Sequence, residues 1–208
     1  LPVERFVKSF EEQSLRLADS VFGQTVSGKW VYQSEVIDYV EEDLFMAPDL
    51  STIRKIPWNK EPTAQIICDL NYPSGEPSKI APRQVLKNII RQLSDENLRA
   101  VVAPELEFYL CEQNLDPDLP LKTPVGKSGR RETGSRVFGI DAVNEFDKLT
   151  DDIYDYCELM NIGVDTLVHE SGPSQIEINL NHGDPLALAD QAFMFKRAVR
   201  QVALKHNI

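Results

Sequence analysis

The chain has 208 residues, of which 42 % are hydrophobic and 26 % charged. This composition excludes wholesale disorder and leaves room for one large or two small folded domains. It carries 22 basic against 33 acidic residues, a net charge of −11, which argues against a nucleic-acid-binding module or an anionic membrane as partner. No stretch approaches the roughly 18 apolar residues of a membrane span. Cys68, Cys111 and Cys157 are scattered, with no C-x-x-C spacing, which suits a reducing cytoplasm better than a disulfide scaffold or a zinc site.

Pro2 followed by Val3, Phe6, Val7, Phe10 and Leu17 predicts a helix, with proline at a favoured start position. Residues 21–36 read as short strands and turns, and the acidic run 38–43 as a loop. Leu44–Asp49 reads as a short strand ended by Pro48, followed by an extended piece from Ile53 to Pro57; Gln65–Leu70 reads as a buried strand. Pro73, Gly75, Pro77 and Pro82 crowd the next segment with turn-formers and mark a domain boundary. We therefore divide the chain into 1–78 and 79–208.

Beyond that boundary, Val85, Leu86, Ile89, Ile90 and Leu93 form a helical stripe, and Ala100–Leu110 reads as a strand. Residues 112–136, rich in Pro, Gly and charge, read as a long mobile loop. Phe146, Leu149, Ile153, Tyr156 and Met160 make a second stripe. Thr166–Glu170 and Gln175–Leu180 read as strands joined by Ser171-Gly172-Pro173-Ser174, and Asp184-Pro185 opens a helix running to about Lys205. A strand-rich first half with one helix, then alternating helix and strand, points to α+β followed by an α/β-type domain.

The segment Pro104–Leu110 is the most informative. Alternation puts Glu105, Glu107 and Tyr109 on one face and Pro104, Leu106, Phe108 and Leu110 on the other. If the four-residue turn pairs Glu170 with Gln175, then Glu170, Gln175, Glu177 and Asn179 share a face, opposite Ile176, Ile178 and Leu180. Carboxylates so close repel, and a divalent cation beside them removes the penalty. Four glutamates backed by apolar faces suit a hard cation held by oxygens. On the residues alone, exposed faces of ordinary antiparallel strands are the commoner explanation. His169 points to the opposite face and reads as a structural histidine. Gly126-Lys127-Ser128 lacks the glycine a phosphate loop needs five positions earlier, where Leu121 stands. Lys127, Arg130, Arg131 and Arg136 fit a solvated loop better than a phosphate contact.

At these residues the chain resembles the glutamine synthetase superfamily. Pro48–Thr52 with Ile56-Pro57-Trp58 resembles the strand leading to that family's Pro-Trp motif, and Pro82-Arg83 its interdomain junction. Pro104–Leu110 and His169–Glu177 are similar to its two metal-ligand motifs, in the same order. Ile140–Asp147, Asp165–Glu170 and His182–Pro185 with Ala189-Asp190-Gln191 resemble the gamma-glutamylpolyamine synthetase branch more than glutamate–ammonia ligases.

The resemblance implies an α+β protein: a small β-grasp-like domain over 1–78, then over 79–208 the first part of a catalytic domain with a curved antiparallel sheet. It implies that Glu107, Glu170 and Glu177 hold one Mg²⁺ or Mn²⁺ and Glu105 a second, with Glu107 also touching substrate. The implied reaction is ATP-dependent phosphorylation of the glutamate side-chain carboxylate, then attack by an amine, with a polyamine such as putrescine favoured over ammonia. ATP, glutamate and the amine are the implied partners, in a cytoplasmic homo-oligomer. Asp19 is the candidate for the acidic residue that such enzymes place near the amine. The family's Arg-Gly-Lys strand is expected before Leu1 and its His-rich metal strand and substrate-binding arginines after Ile208. The 208 residues are therefore expected to be inactive alone. A truncated, non-catalytic relative that binds metal or protein is the rival expectation.

Overall fold

The computed structural model describes residues 1–30 and 42–208. The described chain forms two compact units, Leu1–Ile53 with Gln65–Ala100, and Arg54–Ala64 with Val101–Ile208.

In the first unit, helix α1 (Val3–Glu11) starts at Pro2 as expected but stops well short of Leu17. Gln13 takes φ 50°, a left-handed conformation that no helix continues through. Leu17 instead sits in strand β1 (Arg16–Ala18). The seven-residue step from Phe10 to Leu17 fits the helical period by coincidence. A short 3₁₀ turn, Asp19–Gly23, follows where strand was expected, and Gln24 forms a bridge with Trp30. The remainder of that expectation, with most of the acidic loop, lies outside the described residues.

Strand β2 (Asp43–Pro48) pairs antiparallel with β1 and with β5 (Cys68–Asn71), giving a three-stranded sheet of order β1-β2-β5. The expected single strand 65–70 is broken. Ala64–Gln65 is a separate two-residue strand, β4, as is Arg54–Lys55, β3. The break arises because Ile67 spends its backbone groups on the neighbouring turn: its N–H donates to Thr52 Oγ1 at 2.9 Å and its carbonyl accepts from Asp49 N–H at 2.8 Å. Helix α2 (Pro82–Asp95) is tethered to this sheet by Arg83, which donates to Asp49 at 2.6 Å and Asp69 at 2.7 Å, and by Lys87, which donates to Asp69 at 2.5 Å.

The second unit is built on an antiparallel sheet of order β6-β8-β7, comprising β6 (Glu105–Tyr109), β7 (Val164–His169) and β8 (Gln175–Leu180). Both pairings are antiparallel, so the α/β expectation for this half gives way to an antiparallel sheet. β6 is shorter than expected. Pro104 has no N–H to donate, and only an isolated bridge between Val102 and Gly183 lies upstream.

Helices α3 (Ile140–Asn144), α4 (Asp147–Leu159) and α5 (Pro185–Lys205) complete the unit. α5 starts where Asp184 accepts from the N–H groups of Leu186 and Ala187. The core gathers Leu149, Ile153 and Cys157 of α4, Met194, Phe195 and Val202 of α5, and the inward residues Ile176, Ile178 and Leu180 of β8, all at most 2 % exposed. Residues 112–136 contain no helix or strand, as expected, but the segment is fastened down. Val125 bridges Arg131, Arg131 pairs with Glu112, and Glu132 reaches the buried His169.

Candidate functional site

The sheet of the second unit has two unlike faces. One carries Leu106, Phe108, Ile176, Ile178 and Leu180 and packs inward, with the Phe108 ring 6.5 Å from that of Phe195. The other carries Glu105, Glu107 and Tyr109 from β6, and Gln175, Glu177 and Asn179 from β8. Pairing is in register: Glu107 lies directly opposite Glu177, Glu105 opposite Asn179, and Tyr109 opposite Gln175.

The hairpin β7–β8 keeps the register expected from its turn. His169 pairs with Ile176 and Val168 with Glu177, and Glu170 N–H donates to the Gln175 carbonyl at 2.8 Å. Glu170 therefore sits at the end of the same face, diagonal to Glu177. Ser174 closes the turn with φ 57°.

The carboxylates have local partners. Gln175 Nε2 donates to Glu107 Oε2 at 2.6 Å. Glu170 Oε2 accepts from the Ser171 N–H at 3.2 Å. Held this way, no three His, Cys, Asp or Glu side chains among the described residues converge as a metal-holding group. The donor chemistry nevertheless suits a hard cation, because all four candidates present carboxylate oxygens. Two of them face one another across a β-ladder, where like charges are unfavourable.

His169 is fully buried and belongs to the structure beneath the site. Its Nδ1 lies 2.8 Å from the Glu170 carbonyl oxygen and its Nε2 2.8 Å from Glu132 Oε2. The carbonyl can only accept, so Nδ1 donates to it. Glu132 Oε2 also accepts from Ser174 N–H at 2.6 Å. Glu132 thus ties the end of β7 to the turn before β8. Nothing in the loop composition singles it out, so sequence reasoning missed it.

Asp19, the candidate amine contact, is 8 % exposed and accepts from Glu42 N–H at 3.3 Å. Lys127 is paired with Asp147 at 2.8 Å. Asp147 is held below the usual carboxylate range, first by the Lys127 hydrogen bond and then by the Lys148 N–H. Burial pushes the Cys157 thiol up to about 12, so it is no nucleophile.

Residues 79–208 match the glutamine synthetase catalytic domain. Gamma-glutamylputrescine synthetase PuuA of Escherichia coli strain K12 is 33 % identical over 192 residues, covering 91 % of this chain and 41 % of the relative. Glutamate–isopropylamine ligase of a Pseudomonas species is 27 % identical, covering 99 % of this chain and 44 % of the relative. Glutamine synthetase of Methanocaldococcus jannaschii is 30 % identical, covering 88 % and 40 %. A crystal structure described as a novel glutamine synthase homolog superposes with a TM-score of 0.78 at 18 % identity, over 99 % of this chain and 45 % of that one. Apo GmaS superposes with a TM-score of 0.76 at 20 % identity, over 100 % and 44 %. The chain therefore spans less than half the length of these relatives. It belongs to the glutamine synthetase family of ligases.

Proposed function

We propose that this member of the glutamine synthetase family supplies one wall of the active site of a ligase that joins the glutamate side-chain carboxylate to an amine, using ATP and Mg²⁺ or Mn²⁺. The observation that carries this reading is the open sheet face on which Glu107 and Glu177 stand directly opposite, with Glu105 and Glu170 beside them. Glu107, Glu170 and Glu177 would hold one cation and Glu105 a second. A divalent cation held there would neutralise charge on a transferring phosphoryl group. The apolar backing of β6 and β8 fixes where these carboxylates stand.

A polyamine is the favoured amine. The putrescine-named relative at 33 % identity supports it, and the chain's net charge of −11 favours a cationic substrate nearby. Ammonia is the second reading, supported by the glutamine synthetase relative at 30 %. We also propose a homo-oligomeric, cytoplasmic protein, a β-grasp-like domain over 1–78, and a catalytic-type domain starting at residue 79, where the family match begins. The 208 residues alone are expected to form no amide, and robust amide formation by them would overturn that.

The test is a calorimetric Mn²⁺ titration of this chain beside the Glu107→Gln, Glu177→Gln double variant. Binding that disappears in the variant supports the reading, and equal binding in both overturns it. Competing rates for putrescine and ammonia, measured on a longer protein containing this chain, decide the amine; a strong ammonia preference would reverse our choice.

A further inference from the structure

We propose that Gln175 is a positioning residue for Glu107, and that Tyr109 and the Gly172 backbone fix Gln175 in the orientation this requires; the inference rests on Glu107 being a metal ligand. Gln175 is only 9 % exposed, although it stands on the polar face of the sheet. Its Oε1 accepts two hydrogen bonds, from Gly172 N–H at 2.7 Å and from Tyr109 Oη–H at 3.0 Å. Its Nε2 donates to Glu107 Oε2 at 2.6 Å.

The amide orientation follows from chemistry. A backbone N–H can only donate, so the atom facing Gly172 must be the oxygen. That leaves the NH₂ group facing Glu107, whose carboxylate can only accept when ionised. A flipped amide would set N–H against N–H at Gly172 and oxygen against oxygen at Glu107. The chain Tyr109–Gln175–Glu107 therefore has one direction.

Tyr109, 57 % exposed, lies against the turn. A Cβ added to Gly172 would come within 2.5 Å of the Tyr109 ring and hydroxyl. The turn backbone thus passes close against the ring, and a side chain at position 172 would have to displace Tyr109. Tyr109 is also the direct cross-strand partner of Gln175. The ladder places the phenol over the amide, and the amide over the carboxylate. A ligand oxygen held by such a partner is pre-oriented, and losing the partner typically costs 10–100-fold in metal affinity.

The test uses the 208-residue chain, titrated with MnCl₂ by calorimetry below its unfolding transition, with folding verified by circular dichroism. Gln175→Met keeps the side chain's length and removes its hydrogen bonds. It is expected to weaken Mn²⁺ binding by about 10–100-fold. Tyr109→Phe keeps the ring against Gly172 and removes only the hydroxyl. It is expected to cause a smaller loss, and no further loss when added to Gln175→Met. A purely structural role predicts instead that both variants lower the unfolding temperature while leaving Mn²⁺ affinity unchanged. In ¹H–¹⁵N spectra, Glu107→Ala should move the Gln175 side-chain amide resonances.

An Mn²⁺ affinity unchanged by Gln175→Met and Tyr109→Phe, but lost on replacing Glu107 and Glu177, overturns the role of Gln175 and leaves the ligand reading standing. If Gln175→Met does not fold, Tyr109→Phe alone decides, with unchanged affinity again refuting the relay. Absent Mn²⁺ binding, or binding indifferent to Glu107 and Glu177, overturns the metal reading and this inference with it.

Discussion

Glu177→Gln should stabilise the metal-free chain. Glu177 and Glu107 are direct cross-strand partners, and such positions hold Cβ atoms about 5 Å apart. Two unit charges at that separation would repel by about 0.8 kcal/mol in a water-like dielectric, an upper bound because the carboxylates lie beyond Cβ and can swing apart. This agrees with the range of about 0.2–1 kcal/mol for cross-strand pairs. Glu107 is exposed and Glu177 partly exposed, so a high-dielectric value applies. For a chain of this size, 1 kcal/mol corresponds to about 2–4 °C in Tm. Glu177→Gln should therefore raise the melting temperature by up to about 3 °C in EDTA at low salt. In 1 M salt the screening length falls to about 3 Å, and most of the gain should disappear. With saturating Mn²⁺ the order should reverse, because the unsubstituted chain alone gains stability from binding. A scanning calorimeter reads all three conditions. A variant less stable than the parent in EDTA, or a gain indifferent to salt, would refute the claim that these two charges oppose one another across the ladder.

Glu132→Ala should destabilise the second unit by about 1–3 kcal/mol, because it strips a partner from the buried His169 and from Ser174 N–H; unchanged denaturant unfolding would refute this tie. Ile178→Ala, at a position fully buried on the inner face, should cost about 2–5 kcal/mol in the same experiment. Asp49 is held below its ordinary value, first by the Ser51 hydroxyl and then by Arg83. Its charged form therefore adds stability that is complete above the ordinary aspartate value of 3.8 and is lost as pH falls through the lower folded value. Acid unfolding of Asp49→Asn should show less pH dependence below that point, and an identical acid limb would refute the assignment. Cys157, with its thiol pushed up to about 12, should react with a thiol reagent at pH 8 only as the chain unfolds, and rapid labelling of the native protein would contradict its burial.

The parts of the fold that the sequence reveals are those fixed by local chemistry. Asp184-Pro185 announces α5 because the carboxylate accepts from two of the orphan N–H groups of the first turn and the proline removes another. The β7–β8 register is legible because Ser171–Ser174 is a short turn and a one-residue slip would bury Glu177. Leu17 misleads because periodicity cannot see the left-handed residue at Gln13. Gln65–Leu70 misleads because a side chain, Thr52, captures the Ile67 N–H that a continuous strand would use. The placement of β6 beside β8, which brings Glu107 to Glu177, joins residues 70 apart in sequence, and no local signal encodes it. The Glu132–His169 contact is hidden for the same reason.

A sheet that sets two glutamates face to face could relieve the repulsion by shifting register, and the magnitudes show why it does not. Moving β8 by one residue would exchange its two faces. Ile176, Ile178 and Leu180, each at most 2 % exposed, would turn to solvent, and Glu177 would enter the apolar layer against Phe195. Each apolar side chain contributes about 1.5–3 kcal/mol by burial, so three of them outweigh a repulsion of at most about 0.8 kcal/mol several-fold. Burying an unpaired carboxylate would cost more still. The apolar face therefore dictates the position of the acidic face. The carboxylates cannot move apart by slipping, only by turning their side chains, and Gln175 and Ser171 occupy the directions in which Glu107 and Glu170 turn. A cation able to take two or more of these oxygens would compete with single neutral hydrogen bonds while also removing the like-charge penalty. That asymmetry is what the divalent ion we propose would exploit at this face.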